Sequence, residues 1–358
     1  MRAGYGESLR KFFAEKTNPV ILIDFAGQKI FDNATVDTNI LLAQKIANQG
    51  QTKACLVKDK WPDSLHAYVS QHQAACQFQT SDSWVILSPI EQRIREKIER
   101  IGTPLKDWDI QINYGIKTGY NEAFIIDGKK KDELIAADPK SAEVIRPILR
   151  GRDIKRYGYE FADLWIIATF PSLNYDIENY PAVKQHLLSF GYDRLKQTGD
   201  IGARKKTNNK WFETQDSIGY WDDFFRPKII WIELADKGRF YLDKDKNFLT
   251  LNGTFIMTGE HLEYITCVLN NPIISWHFNT FCISSGMGTN QWRELYVRNL
   301  RIPALSSQEQ LAFTFFFNQI IYLKSQNKET QQIEKQINGL VYNLYNLTNE
   351  EIQFIDCQ

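Results

Sequence analysis

The sequence predicts an α+β fold, on three observations. Val20-Ile21-Leu22-Ile23-Asp24-Phe25 is a continuous apolar run of strand length, which suits a strand covered on both faces. Strand-like runs resume in the middle of the chain, at Lys228–Ile232, Gly238–Leu242 and Thr254–Met257. From Ser307 onward the apolar residues instead recur at helical spacing.

Composition narrows the function without naming it. At 358 residues the chain has room for about two to three domains with ample core. Lys plus Arg and Asp plus Glu are both 43, so nucleic-acid binding must be argued from where the cations sit. Five scattered cysteines, without a Cys-x-x-Cys pair, argue against a zinc site and fit a reducing cytosol. No apolar run reaches membrane-spanning length and the start lacks a signal-peptide pattern, so the expected location is cytoplasmic.

In chain order, a helix to about Glu15 places Leu9, Phe12 and Phe13 on one side, followed by strands at Val20–Phe25, Val36–Ala43 and Ala54–Val57. These read as the last part of a larger α/β unit. Residues 58–83 are polar, with a helix near Ser64–Ser70. Ile90, Ile94, Ile98 and Ile101 then define an amphipathic helix, stopped by Gly102-Thr103-Pro104. The expected organisation is 1–82, a connecting helix 83–105, a central unit 106–305 and helices 306–358.

The central unit opens on Asn113-Tyr114-Gly115-Ile116-Lys117-Thr118-Gly119-Tyr120-Asn121-Glu122-Ala123-Phe124-Ile125-Ile126, which reads as two strands around a glycine-bracketed turn. Gly115 and Gly119 permit backbone shapes or close approaches that a side chain forbids. Lys117 and Thr118 between them could grip a phosphate oxygen, and a hairpin turn with a solvated lysine is the simpler local alternative. Asp127–Pro139 reads as a polar excursion and Val144–Leu149 as a short helix.

Two basic clusters follow. Arg146, Arg150, Arg152, Lys155 and Arg156 face a single acid, Asp153, and lead into Tyr157 and Tyr159. Lys196, Arg204, Lys205, Lys206 and Lys210 lie in or beside a polar loop that also holds Asn208 and Asn209. Either cluster alone could be a solvated loop. Three basic loops in one unit of a neutral chain point to phosphates, with amides and arginines able to read base edges. Asn290 and Gln291 sit in a further loop, 284–292, which Arg293 follows and which could face DNA or form a tight core turn.

Catalytic patterns are missing from the string. Asn18-Pro19-Val20 and Asn271-Pro272-Ile273 lack the second proline and the aromatic of an amino-methyltransferase loop. Asp243-Lys244-Asp245-Lys246, Glu351 and Asp356 lack the setting of a metal-dependent nuclease, and no catalytic or metal residue is assigned. In the C-terminal segment, Leu311, Phe315, Ile320 and Leu323 form one helical stripe, capped by Ser306 or Ser307. Ile333, Ile337, Leu340, Val341 and Leu344 form another, and Thr348 with Glu351 form a capping box.

These residues resemble a known family. Gly115–Phe124, Ile148-Leu149-Arg150-Gly151-Arg152-Asp153-Ile154, Arg226-Pro227-Lys228-Ile229 and Leu295–Pro303 resemble the TaqI-like specificity domain. That domain follows the methyltransferase in type IIG restriction-modification enzymes. Met1–Arg10 and Ile23-Asp24-Phe25 look like the end of an adenine-N6 methyltransferase domain, a Rossmann-like α/β fold, and Ile337–Ile352 like the family's final helices. The resemblance implies a double-stranded DNA target recognition domain at 106–305, a methyltransferase remnant at 1–82 and a helical spacer at 306–358. The family's cofactor and Asn-Pro-Pro-Tyr motifs precede the point where this sequence starts, so the chain reads as truncated. S-adenosylmethionine and Mg are therefore expected only for the complete family enzyme. The implied DNA-contacting residues are Lys117, Thr118, Gly119, Arg150, Arg152, Lys155, Arg156, Arg204, Lys205, Lys206, Asn208, Asn290 and Arg293. The alternatives are a specificity subunit serving a separate methyltransferase or nuclease chain, and a helical protein-interaction scaffold.

Overall fold

The computed structural model describes residues 6–26, 28–33, 36, 38–57, 62–246, 248–282 and 289–358. Its first unit comprises helix α1 (Glu7–Lys16), strands β1 (Asn18–Asp24), β2 (Asn39–Gln44) and β3 (Thr52–Leu56), helix α2 (Leu65–His72) and strand β4 (Ala74–Cys76), and helix α3 (Pro89–Ile101) follows it. The sheet order is β2-β1-β3-β4, with β1 and β3 parallel. The apolar run of β1 is buried on both faces: Leu22 joins Ala14, Ala54 and Trp84, while Ile23 joins Phe25, Cys55 and Val57. Two expectations change here. Helix α1 buries Arg10 and Ala14 and leaves Leu9 and Phe12 exposed, and β2 begins at Asn39 with Val36 exposed before it.

Strand β5 (Gly102–Pro104) ends α3 and is followed by β6 (Ile110–Tyr114), α4 (Asn121–Phe124), β7 (Ile125–Asp127), α5 (Gly128–Ala137) and β8 (Ile145–Leu149). The glycine-bracketed string is therefore no hairpin, because β6 and β7 belong to different sheets and a helical turn precedes β7. The polar excursion is helix α5, capped by Asp127, whose carboxylate accepts from Lys130 N at 2.7 Å. The expected helix at 144–149 is strand β8, since Pro147 removes a helical donor while Ile145 and Ile148 find sheet partners.

The chain continues through β9 (Ile154–Lys155), β10 (Gly158–Tyr159), β11 (Leu164–Ile167), α6 (Pro181–Leu188), α7 (Tyr192–Leu195), β12 (Lys228–Ile232), β13 (Leu234–Ala235), β14 (Phe240–Asp243), β15 (Leu249–Thr250) and β16 (Thr254–Gly259). Two sheets result, in the orders β15-β8-β11-β7 and β14-β12-β16-β6. They face each other across Ile148, Ile166, Ile230 and Ile256. The far side of the first sheet packs α5 and α6 through Ile126, Leu134, Val183 and Leu187. Alternation along β12 sends Ile230 inward between the sheets and Ile229 and Trp231 toward a helical layer.

That helical layer contains α8 (Leu262–Leu269) and α9 (Pro272–Asn279). After β17 (Asn290–Gln291), α10 (Glu294–Val297) and β18 (Arg301–Pro303), it is completed by α11 (Ser307–Ser325), α12 (Gln331–Leu344) and α13 (Asn349–Asp356). One core joins Ile94 and Ile98 of α3, Trp231 and Met257 of the sheet, and Phe313, Phe317, Ile337 and Ile355 of the last helices. The capping boxes at Ser306 with Glu309 and Thr348 with Glu351 are both formed. Helix α11 buries Gln310, Phe313, Phe317 and Ile320, so Leu311 and Phe315 stand in solvent. Its sequence is apolar on nearly every side, and spacing could not choose the face. Lys97 of α3 bonds Glu351 at 2.7 Å and Arg93 pairs with Glu350, so part of the expected solvated face docks on α13.

Candidate nucleic-acid interface

The register of the sheets gathers several loops at one rim. Tyr114, Ile232 and Thr254 end or begin adjacent strands, since Phe255 pairs with Tyr114 and Ile232 with Thr254. Strands β8 and β15 run parallel and finish together at Leu149 and Thr250, beside the following residues 251–253. Tyr114–Gly119, Arg150–Asp153, Glu233 and Asn252-Gly253 therefore lie close together.

The turn after β6 is built into this rim by its main chain. Ile116 is buried, donates N–H to Thr250 O at 2.7 Å and accepts from Asn252 N at 2.8 Å. Gly115 runs against Leu251 O, where a Cβ would collide with backbone, and Gly119 has φ +79°, a left-handed conformation. Lys117 is exposed between them, with its carbonyl accepting from Asp216 N at 3.2 Å. The Thr118 side chain is buried and donates to Asn121 Oδ1 at 2.6 Å, so it caps the local turn and does not reach outward.

Arg204 overturns its expected role. It is 2% exposed and stacks over the Phe124 ring. Nε donates to Leu195 O at 2.8 Å, Nη1 to Thr118 O at 2.9 Å and Glu213 O at 2.8 Å, and Nη2 to Trp211 O at 2.6 Å. Burial, with Arg194 nearby, pushes its pKa down to about 10, which leaves it cationic at neutral pH. A guanidinium spent on four carbonyls has no fork left for DNA. Buried Gln197 supports the same loop by donating to Lys210 O and Glu213 O, each at 3.0 Å. Around this scaffold Lys205, Lys206 and Asn208 are exposed, whereas Asn209 donates inward to Thr214 O and Gln215 O.

The first basic cluster divides. Arg150 holds Asp153 bidentately, Nε to Oδ2 at 2.9 Å and Nη2 to Oδ1 at 2.8 Å. Burial alone would raise the Asp153 carboxyl, but Arg150 overrides it and keeps the group below its ordinary range. Arg150 is thus largely neutralised, while Arg152 is exposed. Lys155 pairs with Glu160 at 3.2 Å and Arg156 with Glu334 of α12 at 2.9 Å, so this end of the cluster turns toward the C-terminal helices. Tyr157 is a core residue and Tyr159 packs on Tyr241 and Phe248, so neither ring is available to a base.

At the last loop, Asn290 spends its amide donors on Asp236 O at 3.1 Å and Asn279 Oδ1 at 2.6 Å, which makes it structural. Arg293 is exposed but bonds Glu233 at 2.6 Å. Residues 284–288 of the predicted loop lie outside the described residues. Sequence reasoning passed over Tyr114, Gln215, Asp216 and Asn252. They line recesses of about 470 and 200 Å³ beside Lys117. Tyr114 is 54% exposed and sits edge-on to Tyr220, whose hydroxyl donates to Tyr114 O at 2.7 Å. The Asn252-Gly253 pair was a readable turn signal, but nothing local marked Asp216.

Among the described residues, no group of three His, Cys, Asp or Glu side chains is placed to hold a metal ion. Asp243, weighed as a nuclease carboxylate, is buried in an ion pair with Lys228 at 2.7 Å. No helix among them is long and apolar enough to cross a membrane.

Comparison with known proteins follows the same outline. A search of curated protein sequences found no match. Among solved structures, 95% of the chain superposes on 45% of the type IIL restriction-modification enzyme MmeI, solved in complex with DNA, with TM-score 0.52 and 10% identity. A second match is the type IIG restriction endonuclease BpuSI, covering 96% of this chain and 45% of that one, with TM-score 0.45 and 11% identity. The chain spans under half the length of these enzymes, and the likeness to MmeI is one of fold. The central region carries the family signal: residues 146–302, from β8 to β18, match the TaqI-like C-terminal specificity domain.

Proposed function

We propose that this chain reads a specific sequence in double-stranded DNA as the target recognition part of a restriction-modification enzyme. The observation that carries the reading is the rim itself: exposed Lys117 lines a polar recess, Lys205 sends its charge onto Asp216 in the same recess, and Arg152 and Lys206 are exposed on the adjoining loops, in or beside the TaqI-like region. Lysines and arginines there neutralise phosphates and fix the register, and the polar side chains between them meet base edges in the major groove. The DNA complex of MmeI, a structure similar in fold, supports DNA as the partner. On this reading, 106–305 is the recognition unit, 1–82 the end of a methyltransferase-like domain, 83–105 the connector and 306–358 a helical spacer. A cytoplasmic location follows from the same role.

Fluorescence anisotropy with random and site-enriched duplexes at two salt concentrations tests it. Affinity should fall steeply with salt, at about 0.9 log units per log unit of salt for each phosphate contact. Equal affinity for all duplexes, or no salt dependence, would count against the reading.

A second reading concerns catalysis supplied by a methyltransferase or nuclease body, joined or separate. Leu9 and Phe12 of α1 and Ile40 and Leu42 of edge strand β2 are exposed apolar residues suited to burial against such a body. Calorimetry with S-adenosylmethionine separates the two readings, because the recognition reading predicts no binding heat with this chain alone. Leu42→Asp should weaken assembly with a catalytic chain and leave DNA affinity unchanged.

A further inference from the structure

We infer that Asp216 is a specificity-determining residue of the rim, accepting a hydrogen bond from the exocyclic amino group of a cytosine or adenine. The inference rests on the duplex-reading function proposed above and names the base chemistry at its centre.

Asp216 is half-buried and lines both recesses, which meet at it and at exposed Tyr114. Its backbone N–H donates to Lys117 O at 3.2 Å, so it is fixed to the turn that carries the exposed lysine. Lys117 reaches the carboxylate with its charge and its backbone N–H, and Lys205 adds a second positive field. Burial nevertheless raises the carboxyl above its ordinary value. No ion pair closes on it within 4 Å among the described residues, in contrast to Asp153, which Arg150 grips bidentately. A carboxylate beside Lys117 and in the field of Lys205 cannot serve a phosphate, which it repels. It suits a donor, and in the major groove the donors on base edges are the amino groups of cytosine and adenine. Gln215 and Asn252 flank it and offer neutral polar contacts to neighbouring positions.

The test is selection from a randomised duplex library with the whole chain, wild type against Asp216→Asn and Asp216→Ala, with thermal unfolding as the folding control. The wild type should enrich a site with fixed base pairs, and the pair relaxed in Asp216→Ala is the one Asp216 reads, through cytosine if it is G·C and adenine if it is A·T. Asp216→Ala should lose roughly tenfold to hundredfold discrimination at that position and at no other. In Asp216→Asn the amide oxygen can keep the Lys117 N–H, leaving its NH₂ outward, so preference should move to a keto base, guanine or thymine. Removing the amino group from the selected base (2-pyrimidinone or purine) should weaken the wild type and leave Asp216→Ala indifferent. If folded variants of both kinds select the unchanged site with unchanged discrimination, the inference is overturned while duplex reading stands. If the wild type enriches no sequence, duplex reading fails and the inference with it.

Discussion

Arg150 and Arg204 are both hydrogen-bonded arginines, and they are engaged in opposite ways. Arg150 meets one carboxylate three residues away, so the pair is close to neutral and could form from the local chain alone. Arg204 meets carbonyls of Thr118, Leu195, Trp211 and Glu213, up to 86 residues distant, and among the described residues no carboxylate forms an ion pair with its guanidinium. The first arginine cancels charge at the rim. The second keeps its charge inside and ties the Lys117 turn to the loop bearing Lys205 and Lys206. A neutral chain can therefore present a cationic rim, provided that some cations are paired away and others are held without acids.

The largest test of this contrast is Arg204→Met. It leaves several carbonyls without donors in the interior and should cost about 3 kcal/mol or more of unfolding free energy in urea titration. A loss below 1 kcal/mol would show that Arg204 does not organise the two loops. Asp153→Asn comes next, with a cost of roughly 1–3 kcal/mol because one charged bidentate contact is replaced by a weaker one. The same change frees the Arg150 charge, so duplex affinity at low salt should rise. A fall in affinity would assign Asp153 a positioning role at the rim.

A smaller effect separates paired from unpaired lysines. The double variant Lys205→Ala, Lys206→Ala should leave stability within about 0.5 kcal/mol. It should reduce the salt slope of duplex binding by about 1.8 if both lysines meet phosphates. Lys155→Ala, which removes a cation already paired with Glu160, should barely move that slope. Equal slopes for the two variants would erase the distinction between the loops. The smallest effect is in acid. Asp153 is held below its ordinary carboxyl range in the folded chain, so the unfolded chain binds more protons as pH falls from about 5. The stabilisation present above that range is lost as pH drops through the folded value. Asp153→Asn should flatten this part of the acid unfolding curve, whereas Arg204→Met should not.

Much of the fold was readable where one local rule was decisive. The two-sided burial of β1, the isoleucine face of α3 and the capping boxes of α11 and α13 follow from residues within a few positions of one another. Reading failed where two local patterns competed. Val144–Leu149 looked helical despite Pro147, and α11 offered apolar residues on several sides. The site divided similarly. Lys117, Arg152, Lys205 and Lys206 remain exposed at or beside the rim, while Arg204 and Asn290 were drawn into hydrogen bonds with distant main chain or side chains and Thr118 into one with Asn121 of its own turn.

By itself the sequence determined the α+β composition, the cationic loops and the resemblance of the central region to the TaqI-like specificity domain, because these depend on residue type and short-range spacing. Only tertiary structure decided which cations face solvent and that Asp216 lies beside Lys117. Neutralisation of a charge depends on distance in space, and Asp216 comes within hydrogen-bond reach of the turn through sheet register and the Arg204 anchor.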